Sequence, residues 1–225
     1  MKKILLCILV FLFVFQCVFA KSGDIVYKGN KNKKQIALTF DDGPGKSTLK
    51  ILKILEDENI KATFFLFGVA VDRHPNLVKE VYDHGHEIAS HTYGHFNFYK
   101  YDKDDIEYRI KREITKNEKA IGKVIENYKP SLLRYPHGYT SDLAIQIAKD
   151  KGYKIINWTF GCDWELDLTQ DQMYKAYKKN IKNGTIFLMH DSWNNENVIN
   201  FLPDLIKDIK EKGYEIVTVS ELIEG

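Results

Sequence analysis

Short apolar runs alternate along this chain with longer stretches in which apolar residues recur at helical spacing. The runs over 35–40, 62–67, 86–90, 131–135, 154–159, 185–190 and 214–219 predict strands. The amphipathic stretches predict helices over 46–58, 75–84, 102–126, 140–151, 170–182 and 198–212. In the first of these, Leu49, Leu52, Ile54 and Leu55 share helical spacing, and Ser47 is placed to cap it. Gly152 and Gly213 follow helical patterns, as glycines at helix C-termini do. Pro203 lies inside the last helical stretch, which can instead begin at that proline. Strand–helix alternation of this length argues for a parallel α/β sheet, open or closed. About seven strands in a little over 200 residues fit a small, irregular (β/α)7-type barrel.

The N-terminus departs from that pattern. Lys2 and Lys3 precede an almost wholly apolar run from Ile4 to Phe15, and Val18-Phe19-Ala20 ends in a small residue. Residues 1–20 read as a secretory signal peptide, which predicts a secreted or cell-envelope protein with no stable membrane insertion after cleavage. An uncleaved anchor is the alternative, although the run falls short of the roughly 20 residues a span needs. Residues 21–34 are polar and form a short leader; 35–225 form one folded domain. Removing Lys2 and Lys3 from 33 basic residues leaves 31 against 31 acidic ones. A balanced chain offers no case for nucleic acid or an anionic membrane surface. Cys7 and Cys17 fall in the signal, so Cys162 has no partner for an intramolecular disulfide, and stability rests on core packing.

The candidate chemistry sits where strands should end. Asp41 and Asp42 follow Ile36-Ala37-Leu38, and His91 and His95 follow Glu87-Ile88-Ala89. Two imidazoles and a carboxylate suit a divalent transition metal, most often zinc, and a second carboxylate beside it can serve as base. Each group has a plainer reading: Asp-Asp-Gly-Pro-Gly as a polar turn, the histidines as a surface pair. Arg134/His137, Asp163/Trp164 and Leu188/His190 also fall at or just beyond strand ends. In parallel α/β folds those ends converge on one face, where active sites lie. Five segments bringing polar groups to one rim outweigh the plainer readings taken singly. His74, His84 and His86 flank Pro75 or Gly85 and read as loop residues; Cys162 reads as packing.

Taken together these motifs resemble the polysaccharide deacetylase family, also called the NodB-homology domain or carbohydrate esterase family four. Thr39-Phe40-Asp41-Asp42-Gly43-Pro44 looks like its first motif, and His91-Thr92-Tyr93-Gly94-His95 is similar to H-[S/T]-x-x-H. Arg134-Tyr135-Pro136-His137-Gly138 matches R-x-P-x-G, Asp163-Trp164 ends D-x-x-D-W, and Leu188-Met189-His190 matches L-x-H. The likeness covers about residues 35–220. Phe160 stands where the family has the first Asp of D-x-x-D-W, and His137 where a Tyr is common.

The resemblance implies a NodB-homology fold and a divalent metal, zinc foremost with cobalt, nickel or manganese possible, held by Asp42, His91 and His95. It implies Asp41 as base, His190 as acid, Arg134 orienting Asp41, and Asp163 pairing with His190. His137 would offer its backbone N–H to the oxyanion, and Leu188 and Trp164 would wall an acetyl pocket. The expected substrate is an N-acetylated glycan, peptidoglycan before chitin-type oligomers, acted on by a monomer. An O-acetyl esterase of the xylan type and an inactive glycan-binding module are the alternatives.

Overall fold

The computed structural model describes residues 24–101 and 103–224; the predicted signal peptide lies outside them. The elements run in the order β1 (Ile25–Val26), β2 (Gln35–Asp41), α1 (Thr48–Asp57), β3 (Thr63–Leu66), α2 (Gly68–Arg73), α3 (Pro75–Asp83) and β4 (Glu87–Ser90). They continue with α4 (Lys103–Val124), β5 (Leu132–Leu133), α5 (Asp142–Asp150), β6 (Lys154–Ile156), α6 (Gln170–Lys179), β7 (Ile186–His190), α7 (Glu196–Glu211), β8 (Glu215–Val217) and α8 (Val219–Glu224). Every strand pairing is parallel, in the order β1-β6-β5-β4-β3-β2-β7, with β8 also on β2. Beyond β6, Phe160 bridges to Phe187 of β7, which curls the sheet back on itself into an irregular barrel.

Alternation along the strands sorts side chains into two layers. Ile36, Leu38, Phe40, Phe64, Leu66, Ile88, Phe187 and Met189 face outward into the main core, against Leu52, Leu55, Leu202, Leu205 and Ile206 from the helices. Ala37, Phe65, Ala89, Leu132, Ile156 and Ile186 face inward and fill the barrel as a second cluster. The same parity then decides chemistry. Asp41 shares a face with Ala37, His91 with Ala89, Arg134 with Leu132, and His190 with Ile186. β2, β4, β5 and β7 therefore each end by turning a polar side chain inward at the C-terminal mouth.

Several elements differ from the expectation. Ile25–Val26, in the stretch read as a leader, pairs with β6. α2 and α8 were not anticipated: α2 has six residues, too few to show a period, and α8 starts inside the stretch read as the last strand. The last long helix does not begin at Pro203. It starts at Glu196, with Asn195 as its cap, and Pro203 sits on its exposed face. Val198, Phe201, Leu202, Leu205, Ile206 and Ile209 form one buried stripe through the proline, and their burial outweighs its cost of about 3 kcal/mol. Ser47 makes no side-chain cap to α1. Its hydroxyl instead donates to the Trp193 carbonyl (2.6 Å) and accepts the Asn195 N–H (2.8 Å), tying the β2–α1 loop to the loop after β7.

Candidate active site

Two strand ends deliver three side chains to one cluster. Asp42 directly follows β2, and His91 and His95 lie in the turn after β4. Their ligating atoms all lie within 4.8 Å of one another. His91 Nδ1 lies 2.7 Å from the Arg134 carbonyl oxygen, which can only accept. Nδ1 therefore carries a proton, and Nε2 faces Asp42 Oδ1 at 3.4 Å. His95 Nε2 lies 2.9 Å from the same oxygen. That oxygen is buried, yet neither imidazole is aligned as a hydrogen-bond donor to it. A buried carboxylate oxygen without a partner, facing two imidazole nitrogens, is what a divalent cation would complete. The donor set fits such an ion. Burial works to raise the Asp42 carboxyl pKa, but close contact with His91 and His95 outweighs it and holds it far below the usual carboxylate range. His95 is pushed down by burial and, more strongly in sum, up by Asp42 and Asp41.

Backbone strain concentrates here. Asp42, Thr92, His95 and His137 all adopt left-handed φ between 53° and 64°. For a β-branched residue such as Thr92 this is costly, and the rigid barrel holds it in place. Glu113 of α4 accepts the Gly94 N–H at 2.6 Å and braces the turn between the histidines.

Beneath this cluster Arg134 plugs the barrel. It is fully buried, and its Nη1 donates to Asp41 Oδ1 (2.6 Å) and Thr39 Oγ1 (2.9 Å). Nε and Nη2 reach the carbonyls of Ile156 (3.2 Å) and Asn157 (3.0 Å), and the guanidinium lies 4.0 Å above the Phe65 ring. Burial pulls its pKa down against the pull of Asp41. Asp41 is thus held in one orientation by a rigid cation. Across the β2–β7 ladder Asp41 is the register partner of His190. His190 Nδ1 lies 3.0 Å from Asp163 Oδ1, and Asp163 Oδ2 accepts the His190 backbone N–H (2.9 Å) and Asn195 Nδ2 (2.7 Å). Burial lowers the His190 pKa, but Asp163, then Asp41 and Asp42, raise it on balance.

A cavity of about 460 Å³ opens over these groups. Asp41, Asp42, His91, His95, His137, Trp164, Leu188 and His190 line it; Arg134 and Asp163 stand behind as supports. Trp158 and Trp193 also line it and were not singled out in the sequence. Trp193 stacks on His190 at 4.8 Å and Trp164 meets it edge-on at 5.4 Å. Phe160, in place of an acid, packs against Tyr177 and Phe187. Cys162 is buried in the core, with its thiol pushed up to about 11 by burial, then Asp163 and Glu165. Asp191 was also missed. Its fully buried carboxyl is pushed up to about 7 by burial, with Thr48 donating to it at 2.5 Å. It packs so closely under the Asp41–Gly45 turn that a Cβ at Gly43 would lie 2.3 Å from Oδ1.

The sequence model of the polysaccharide deacetylase family matches residues 28–156. The chain belongs to the polysaccharide deacetylase family. It is 34% identical over 207 residues to a peptidoglycan-N-acetylglucosamine deacetylase of Bacillus cereus, covering 90% of this chain and 94% of the relative. Among solved structures, the Bc1960 peptidoglycan N-acetylglucosamine deacetylase, in complex with an N-oxidanyl-benzamide, superposes with a TM-score of 0.83 at 30% identity, over 89% of this chain and 93% of that one. BA3943, a family pseudoenzyme from Bacillus anthracis, gives 0.80 at 29% identity, over 88% and 68%. The family thus holds deacetylases and at least one inactive member. No helix among the described residues is long and apolar enough to cross a membrane.

Proposed function

We propose that this protein is an exported, metal-dependent deacetylase that hydrolyses N-acetyl groups of amino sugars in a glycan, with peptidoglycan as the preferred polymer. The observation that carries the reading is the juxtaposition of two differently held carboxylates. Asp42 faces two imidazoles with an unpartnered oxygen, while Asp41, next in sequence, is clamped by Arg134. One carboxylate is arranged as a ligand and the other as a base.

Asp42, His91 and His95 would hold the ion, with zinc the first choice and cobalt, nickel or manganese compatible with the same donors. Such an ion lowers the pKa of water and polarises a carbonyl. Asp41 takes the proton of the attacking water, its carboxylate fixed by Arg134. The His137 N–H, in the turn Pro136–Gly138 where His137 has a left-handed φ of 58°, meets the developing oxyanion. His190 delivers a proton to the departing amine, and Asp163 keeps it charged for that step. Trp164 and Leu188 wall the acetyl group.

The peptidoglycan deacetylase relatives support the choice of polymer. The pseudoenzyme relative supports one second reading, a glycan-binding module without turnover; the retained Asp41, Asp42, His91, His95, Arg134 and His190 favour an active site. The test is acetate release by residues 21–225 at defined metal loading, from peptidoglycan, N-acetylglucosamine oligomers and acetylated xylan side by side. Metal-dependent acetate from an N-acetylated glycan is expected. Release from xylan alone would make the protein an O-acetyl esterase, and none from any would leave the binding module.

A further inference from the structure

A second groove of about 470 Å³ adjoins the cavity, and Asp42 lines both. Phe67, Ala70 and Leu77 form its apolar side, with Leu49 exposed on the rim. Lys46, from the β2–α1 loop, and Arg73 and His74, from the end of α2, are exposed along it. Asp42 is the one carboxylate among the lining residues, and its Oδ1 faces His91 and His95. Among the described residues neither Lys46 nor Arg73 is in an ion pair. Asp72, beside Arg73, accepts instead from the Tyr93 hydroxyl at 2.8 Å. The groove is therefore a net cationic trough with an apolar wall, opening from the metal ligands.

A linear polymer that places one acetamido group at Asp42 has to leave the cavity, and this trough is contiguous with that point. We propose that it receives a carboxylate of an acidic peptide attached to the sugar next to the one being deacetylated. The inference rests on the glycan deacetylase reading. Lys46 and Arg73 supply the charge, and Leu49 and Leu77 pack the aliphatic part of the substituent. Such exposed contacts act on binding and not on the chemical step, because they lie away from the reacting amide.

The experiment compares a neutral N-acetylglucosamine oligomer, an acidic disaccharide-peptide from peptidoglycan, and the same compound with its carboxylates amidated. The proteins are the wild type, the double variant Lys46→Ala/Arg73→Ala, and the charge reversal Lys46→Glu/Arg73→Glu. The alanine pair should raise KM for the acidic substrate roughly three- to tenfold with kcat unchanged, and the reversal more. Neutral and amidated substrates should not respond, and the preference for the acidic substrate should shrink with added salt. Equal KM changes on all three substrates, or none on the acidic one, would overturn the inference. Calorimetric binding of the deacetylated acidic product reads the trough without turnover. If no glycan releases acetate, the deacetylase reading falls by itself. Charge-dependent product binding would still support the trough, and its absence would overturn it.

Discussion

Asp163 touches His190 twice, through Nδ1 and through the backbone N–H. Burial alone would depress this imidazole, and Asp163, then Asp41 and Asp42, together more than offset it. An acid must be protonated to act, so under the proposed role turnover of the amide is expected to fall as pH rises through the His190 pKa. Asp163→Asn removes the charge that raises that pKa while keeping a polar group in place. The high-pH limb of kcat/KM on an N-acetylated oligomer should therefore move to lower pH. An unmoved limb would remove His190 from the acid role. His190→Ala adds a second check, because an activated acetate ester has a leaving group that needs no proton. The variant should lose about 10²–10⁴-fold on the amide and far less on the ester, and equal losses would mark His190 as structural. The polar residues of this site were legible in the sequence because each follows an apolar run at a strand end. Trp158 and Trp193 were not, since a Trp after a strand or in a loop shows no direction until the barrel closes. Asp191 was not either: its burial depends on Gly43, 148 positions earlier, leaving room for its carboxyl.

At the level of elements, β4 shows how a loop residue becomes part of the frame. His86, read from sequence as a loop residue, precedes β4, is buried, and accepts the Ala62 N–H on Nδ1 at 3.2 Å ahead of β3. Its ring also meets Phe64 edge-on. Burial, then the nearby Lys61 and His84, lower its pKa from 6.5 to about 4. Below 6.5 the unfolded chain takes a proton that the folded one refuses until about 4. His86 thus contributes stability that is fully present above 6.5 and is lost as pH falls toward 4. The contribution is about 2 kcal/mol once solvent screening is allowed for. Urea midpoints measured in chelator at pH 7 and pH 4.5 check it. His86→Gln, which can still accept from Ala62, should lose less stability over that interval than the wild type by about that amount. Parallel losses would show that other groups carry the acid sensitivity. Strands and long helices followed from periodicity, and the errors have physical causes. Pro203 was read by its local cost, which a six-residue buried stripe overrides. Ser47 was read as a cap, whereas its partners come from the loop after β7.

Across the whole molecule the site joins chain segments that lie far apart in sequence, and the metal would fasten two of them. Asp42 extends from β2 and His91 and His95 from β4, with β3 between the two strands. An ion held by all three side chains ties the mouth of the barrel across three strands, and binds the folded chain far better than the unfolded one. Mass action then makes metal affinity a part of fold stability: free ion at 100 times its dissociation constant adds about 2.7 kcal/mol. For a domain of this size that corresponds to a rise in Tm of roughly 5–10 °C. Scanning calorimetry of residues 21–225 in chelator and in buffered free zinc measures the shift without recourse to activity. His95→Ala removes one donor and should abolish most of the rise, while its Tm in chelator stays near that of the wild type. The rise should also shrink on acidification, because the imidazoles must shed protons to bind the ion. An equal rise in His95→Ala would place the ion elsewhere on the protein. No rise in the wild type, with the chain folded, would mean that the Asp42–His91–His95 cluster does not hold zinc, and the base and acid roles of Asp41 and His190 would then need another source for an activated water.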